Sequence, residues 1–370
     1  MTKFDEKEAQ TVNDDVNSEP RHPGKRLAAI LDMVGMTRKE LSLRTGVSEK
    51  YIEMVIHGAK DISFTFARRL EYAVGLSMQQ WIDMQAQYDE YRFEQKALAG
   101  IHPDELEIPL HLVDVMPHLK RYRLLHEPKS DDDAILSLRK FMGVGDLRVV
   151  PDITHAALFR ARHKGTGDID PYVFHAWRQM CVRLTENART APVMDIQKLG
   201  DSLPAIKHLM VYEEEEIPMH LEKTFAACGI AFRLVPPFEG VPVRGFVRRM
   251  ADGRGMLCLI ARRERQDIFW RELFREISQI VNGNSNFIDF FYKKTTETYI
   301  DNFTDEVLVP QKRYERLVKN GNFSFDIVRR FAESQIVAEH IVLARLLRDG
   351  LIEETDEVRA HLPEYGWETI

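Results

Sequence analysis

The chain has 370 residues, of which 44% are hydrophobic and 29% charged, with a formal net charge of −7. That length suits two or three globular domains with sizeable cores, and the composition is ordinary for a soluble fold. It excludes a membrane-spanning helix, because no run of 18 apolar residues occurs, and the acidic start lacks the apolar core of a signal peptide.

Residues 1–20 are polar and acidic, and a disordered tail is expected there. A helix follows from about Pro23 to Val34. Thr37 to Gly58 then reads as two short helices joined by a tight turn. Thr37 caps the first, with Glu40 three positions on to close a capping box. Gly46 supplies the turn, where a left-handed backbone is cheap only without a Cβ. Ser48 caps the second helix and Gly58 ends it. Leu41, Val47, Ile52 and Ile56 fall inward, whereas Glu49, Lys50, Tyr51, Glu53 and Met54 fall outward. Ser63 starts another helix reaching about Val74, and Ser77 starts one carrying Trp81, Gln85 and Tyr88.

The run from about Pro23 to Arg92, with PGKRLAAIL, GMTRKELSLRTGVS, HGAKDIS, FARRLEYAVGLS and WIDMQAQYD, resembles HigA-type antitoxins and repressors of the XRE (λ-repressor-like) helix-turn-helix class. The resemblance implies an all-α DNA-binding domain over residues 21–94, whose second motif helix lies in the major groove. Ser48, Glu49, Lys50, Tyr51, Glu53 and Met54 are then the candidates for base contacts. Thr37, Arg38 and Lys60 would hold phosphates. Arg21 to Leu76 carries ten Lys and Arg against six Asp and Glu, a local positive excess that the overall charge hides. Glu49 and Glu53 oppose it on the reading face, where a carboxylate can accept from cytosine but is repelled by phosphate.

Trp81, Met84, Tyr88 and Tyr91 form a stripe at helical spacing, which covers the module's own core or joins two copies in a homodimer. Gly100, Pro103, Pro109, Pro117 and Pro128 break any long helix over 95–130, and a linker is expected. His102, His111, His118 and His126 lie nine, seven and eight positions apart, which puts no pair on one helical face and argues against metal binding. Residues 131–228 read as a helical middle region, with a turn at the G-T-G of 165–167 and helical propensity from about Lys207 through the solvent-facing EEEE at 213–216 to Cys228. Cys181, Cys228 and Cys258 are odd in number and form no C-x-x-C pair, so they read as reduced, buried thiols.

At Gly229 the character changes. GIAFRLVPP, VRGFVRRM and GMLCLIARR read as three strands, followed by a helix over about Gln266–Val281 and another over about Thr295–Leu308. That is a small α+β domain. The region from about Asp131 to Ile352, through LRKFMGVGDL, LIARRERQDIFWRELF, FIDFF, NFTDEVLVP and FDIVRRFAESQIVAEHIVLARLLRDGLI, resembles the ImmA/IrrE zinc peptidases. In that family the helix after FW carries H-E-x-x-H, two imidazoles for zinc and a Glu that polarises water. Here that position reads Arg275-Glu276-Ile277-Ser278-Gln279, and no histidine occurs between His220 and His340. Glu276 is vestigial, and the third ligand position falls at Glu297 or Tyr299. A guanidinium cannot ligate a cation and an amide does so poorly, so no metal, no cofactor and no enzymatic activity are expected. Arg275, Glu276, Gln279 and Glu297 become candidates for a residual ligand cleft. No G-x-S-x-G, Walker A or kinase set occurs.

The expectation is a multi-domain, mainly α protein: a helix-turn-helix domain over 21–94, a linker, a helical region over 131–228, a zincin-like α+β domain over 229–352, and a tail over 353–370. Its expected function is cytoplasmic transcriptional regulation on a double-stranded operator, with the second domain sensing a peptide, a toxin-like protein or a small molecule. The alternatives are a protein-binding antitoxin or phage-derived adaptor without specific DNA binding, and an active metallopeptidase.

Overall fold

A computed structural model describes residues 20–155, 169–241, 243–281 and 294–367, the side chains of 294–297 excepted. The N-terminal tail to residue 19, the G-T-G at 165–167 and FIDFF at 287–291 lie outside the described residues. The chain divides into two compact units, one ending at Ile101 and one starting at His102.

The first unit is helical throughout: α1 (Pro23–Val34), α2 (Arg38–Thr45), α3 (Glu49–Ile56), α4 (Phe64–Val74) and α5 (Met78–Ala99). Thr37, Ser48, Ser63 and Ser77 each accept a first-turn N–H at the start of their helices. Only Ser77 closes a full capping box, with Gln80. At Thr37 the box is half made, because the Glu40 carboxylate instead takes Arg44 one turn on, at 2.6 Å. Leu27, Leu41, Ile52, Val55, Leu70 and Trp81 are fully buried and form one core. Trp81 settles the stripe on α5: its indole lies inside that core, Met84 packs on it, and Tyr88 sets its ring edge-on to His22 at 5.0 Å. Trp81 is thus buried within its own unit, whereas Met84, Tyr88 and Tyr91 are half-buried.

The second unit starts with what had been expected as a linker. Residues 102–130 instead form 3₁₀ turns at Pro103–Leu106 and Ile108–Leu112 and a short α6 (Met116–Arg121), with Ile108, Leu112, Val115 and Leu119 buried. Their anchor is Glu105, whose fully buried carboxylate takes both arms of Arg139, at 2.6 and 2.8 Å, and the Leu147 N–H at 3.0 Å. The histidines find separate local partners: His111 meets Asp170 at 2.6 Å, His126 meets Asp133 at 3.1 Å, and His102 caps Asp104 N–H.

Helices α7 (Asp131–Met142), α8 (Pro171–Glu186), α9 (Ile196–His208) and α10 (Ile217–Ala227) follow. The helix expected from Lys207 to Cys228 is broken between α9 and α10. Pro218 sits in the first turn of α10, where its missing N–H is harmless, and the EEEE run at 213–216 forms the turn before it. Strands β1 (Ile230–Val235), β2 (Gly245–Arg249) and β3 (Gly255–Ile260) make a sheet in the order β1-β3-β2, with β1 parallel and β2 antiparallel to β3. The central β3 is buried along its whole length, as its unbroken apolar run implies.

A two-residue β4 (Glu264–Arg265) leads into α11 (Gln266–Val281), which buries Phe269, Leu273, Phe274, Ile277 and Ile280 at helical spacing. Then come α12 (Lys294–Leu308), α13 (Gln311–Asn320), α14 (Phe325–Ser334), α15 (Glu339–Arg348), α16 (Asp356–Ala360) and β5 (Glu364–Tyr365). The segment expected as a tail is therefore structural. Strand β5 pairs with β4, the Trp270 indole donates to the Tyr365 hydroxyl at 2.7 Å, and Trp367 stacks on Tyr365 at 4.2 Å. The three cysteines are free and buried, and no described helix is long and apolar enough to cross a membrane.

Candidate nucleic-acid interface

Two features of the first unit hold α2 and α3 as one piece. Gly46 adopts φ +63°, the left-handed value that turns the chain between them. Arg69 on α4 then donates to the Thr45 and Gly46 carbonyls at 2.9 and 3.4 Å, bolting the turn from behind. Sequence reasoning missed this arginine, since nothing in a local pattern links positions 24 apart.

Buried Ile52, Val55 and Ile56 fix the inner side of α3, which leaves Ser48, Glu49, Lys50 and Glu53 exposed. Two of the proposed outward residues are placed otherwise. Tyr51 is half-buried, its hydroxyl donating to the Asp61 carbonyl at 3.0 Å and its ring edge-on to Phe66 at 5.4 Å. Met54 is half-buried as well. Thr37 and Ser48 spend a side-chain oxygen each on capping, accepting from Glu40 N–H and Tyr51 N–H at 3.1 and 3.3 Å. The remaining first-turn N–H groups of both helices have no partner within their helix, as at any helix start. Arg38 and Lys60 are exposed, and Arg38 reaches across to Glu53 at 3.2 Å. One of the two exposed carboxylates on α3, Glu53, is therefore partnered.

The residues proposed for a cleft in the second unit come together differently from expectation. Arg275 pairs with Asp301 of α12 and stands 3.7 Å from Glu272. Glu276 and Gln279 are buried, and the amide of Gln279 donates to the Glu276 carboxyl at 2.8 Å. Burial, reinforced by repulsion from Glu272, pushes the Glu276 carboxyl up to about 8 against the pull of Arg275 and Gln279. Gly245 of β2 lies directly against it: a Cβ there would stand 2.8 Å from the carboxyl oxygen. Tyr299 is half-exposed, and the side chain of Glu297 lies outside the described residues. Two cavities in this unit, of about 350 and 460 Å³, are lined by other residues. Glu276 and Gln279 are thus packed and paired with each other, and Arg275 is paired with neighbouring carboxylates.

No family model matches the chain, and no curated protein matches it. Among solved structures, a candidate antidote protein of a plasmid maintenance system from Nostoc punctiforme is 32% identical, over 21% of this chain and 86% of that one, with a TM-score of 0.21. An addiction-module antidote protein of the HigA family from Coxiella burnetii is 24% identical, over 23% of this chain and 98% of that one, again with a TM-score of 0.21.

Proposed function

We propose that the chain is a sequence-specific DNA-binding transcriptional regulator of the repressor and antitoxin kind, with α2 and α3 as a helix-turn-helix. The observation that supports this best is the rigid pair α2–α3, which leaves Ser48, Glu49, Lys50 and Glu53 exposed on one short, capped helix. A helix so presented fits a major groove, with Lys50 and the polar side chains near its start toward base edges. Arg38, Thr37 and Lys60 flank it for phosphates. One such helix makes few contacts, so a homodimer on two half-sites about 10 to 10.5 base pairs apart is part of the proposal.

Selection of duplexes from a random pool, followed by gel-shift titration at several salt concentrations, tests the reading. A recurring half-site with salt-dependent binding is expected. Binding to no selected duplex would sink it. The second reading, an antitoxin or adaptor that grips a protein, draws on the large apolar side chains exposed on this unit, Leu43, Phe64 and Tyr72. A partner captured equally well by protein defective in DNA binding would favour it.

For the second unit we propose no metallopeptidase activity. Arg275 is committed to carboxylates, and Glu276 holds a proton near neutrality while bonded to Gln279. A protonated carboxyl cannot act as the base that activates water, and neither Arg275 nor Gln279 offers an imidazole nitrogen or an anionic ligand.

A further inference from the structure

The cavity of about 350 Å³ in the second unit is bounded by α11, the end of α12 and α15. Its lining includes the apolar residues Leu308, Ile341 and Leu347. It also includes four arginines, 265, 271, 345 and 348, and three carboxylates, Asp267, Asp305 and Glu354.

Asp305 is held by two guanidinium groups at once. Arg271 donates to one of its oxygens at 2.6 Å, and Arg348 donates to both, at 3.1 and 2.7 Å. Planar forks converging on a carboxylate are the arrangement in which arginine binds such groups most strongly. The other carboxylates have arginines of their own: Asp267 is bidentate on Arg265, at 2.9 Å to each oxygen, and Glu354 accepts from Arg359 at 3.2 Å.

Arg345 has Asp349 as its carboxylate, in a loose ion pair. It is 8% exposed and directs its Nη atoms to the Val309 carbonyl and the Gln311 amide, over the ring of Tyr314. Its Nε has no hydrogen-bond partner, and the Asp349 carboxylate, already engaged by Tyr314, stands 4.0 Å away. A buried guanidinium N–H without a hydrogen-bond partner is costly.

The geometry points to a binding site for a small organic carboxylate with an apolar body. Its carboxylate takes the place of Asp305 between Arg271 and Arg348, and its body lies along Leu308, Ile341 and Leu347. Asp305 is an internal stand-in for the ligand, and its side chain is 22% exposed, so it has water to turn into when displaced. The volume lies at the small end of ligand pockets, which run from about 300 to 1,000 Å³. An inorganic anion would satisfy the forks but leave those apolar residues uncovered.

Calorimetric titration of the full chain with hexanoate, and with hexanamide as the neutral match, tests this. Hexanoate should bind at least about tenfold more tightly than hexanamide, the difference one charge-assisted fork makes. Asp305→Asn removes the competitor, so it should tighten hexanoate by about tenfold more and leave hexanamide unchanged. Arg348→Gln should weaken hexanoate, and Arg271→Gln serves in its place if the first variant loses its near-ultraviolet circular dichroism. A purely structural Asp305 would give no gain in affinity. Hexanoate binding no better to the Asp305→Asn protein than to wild type overturns the site, and so does inorganic phosphate binding as tightly as hexanoate.

Discussion

The guanidinium of Arg38 at the start of α2 and the carboxylate of Glu53 in the middle of α3 form an ion pair at 3.2 Å, each side chain about half exposed. A pair so open to water contributes at most about 1 kcal/mol to stability. Its weight lies in placement. It neutralises one of the two acidic residues on the proposed reading face, and it holds the arginine toward the flank where a phosphate would lie.

Arg38→Ala should weaken binding to all duplexes about equally and lower the salt slope by roughly one. Because it also strips Glu53 of its partner, the loss should exceed that of Lys60→Ala. Gel-shift titration across salt concentrations measures both, and an Arg38→Ala protein with an unchanged salt slope would remove Arg38 from the interface.

Lys50→Ala should change which duplexes are recovered in selection more than it changes affinity for unrelated DNA. Lys50 is exposed on α3. Identical recovered sites for variant and wild type would place base reading elsewhere.

Trp81→Ala should unfold the first unit rather than dissociate a dimer. The indole is fully buried, and emptying such a site costs about 3–5 kcal/mol. Urea denaturation followed by circular dichroism should show an early transition for this unit. A variant that is folded but monomeric would contradict the packing described above.

Glu276 makes stability depend on pH. Its folded value, about 8, lies above the 4.5 of an ordinary glutamate, so between those values the native state holds a proton that the unfolded chain has released. Stability conferred by this group is complete below about 4.5 and is lost as pH rises through 8, at up to about 1.4 kcal/mol per pH unit. Glu276→Gln keeps the bond to Gln279 and should flatten the profile, gaining most at pH 8 and above. Parallel urea titrations from pH 5 to 9 check this, and superimposable profiles would show that Glu276 ionises freely.

Purified protein should carry well below one zinc per chain by elemental analysis, and addition of zinc should not raise its melting temperature. Stoichiometric zinc that is lost in Gln279→Ala or Glu297→Ala protein would mean that the cluster is a metal centre after all.

Helix starts in the first unit were legible because capping is local: Thr37, Ser48, Ser63 and Ser77 each sit immediately before the helix they begin. The three strands were legible from short apolar runs between Pro and Gly. What escaped was every contact set by distant pairing. Tyr51 faces outward by helical period, but the loop at Asp61 returns to cap its hydroxyl. Prolines made residues 95–130 look like a linker, yet one carboxylate, Glu105, ties the segment to Arg139 and Leu147. The cleft was inferred by analogy from Arg275, Glu276 and Gln279. Arg275 instead pairs with Asp301 on the next helix, and the Gln279 amide donates a hydrogen bond to Glu276 one turn away.

The pairing of β5 with β4, and of Tyr365 with Trp270, also orders events in time. During synthesis Trp270 leaves the ribosome nearly a hundred residues before the hydroxyl that satisfies its indole. Until then the start of α11 lacks its cover of Tyr365 and Trp367, and Phe269, which meets both rings, stays open to whatever binds exposed aromatic surface. A chain cut short before residue 365 would leave Phe269 without both ring contacts and the Trp270 indole without its acceptor.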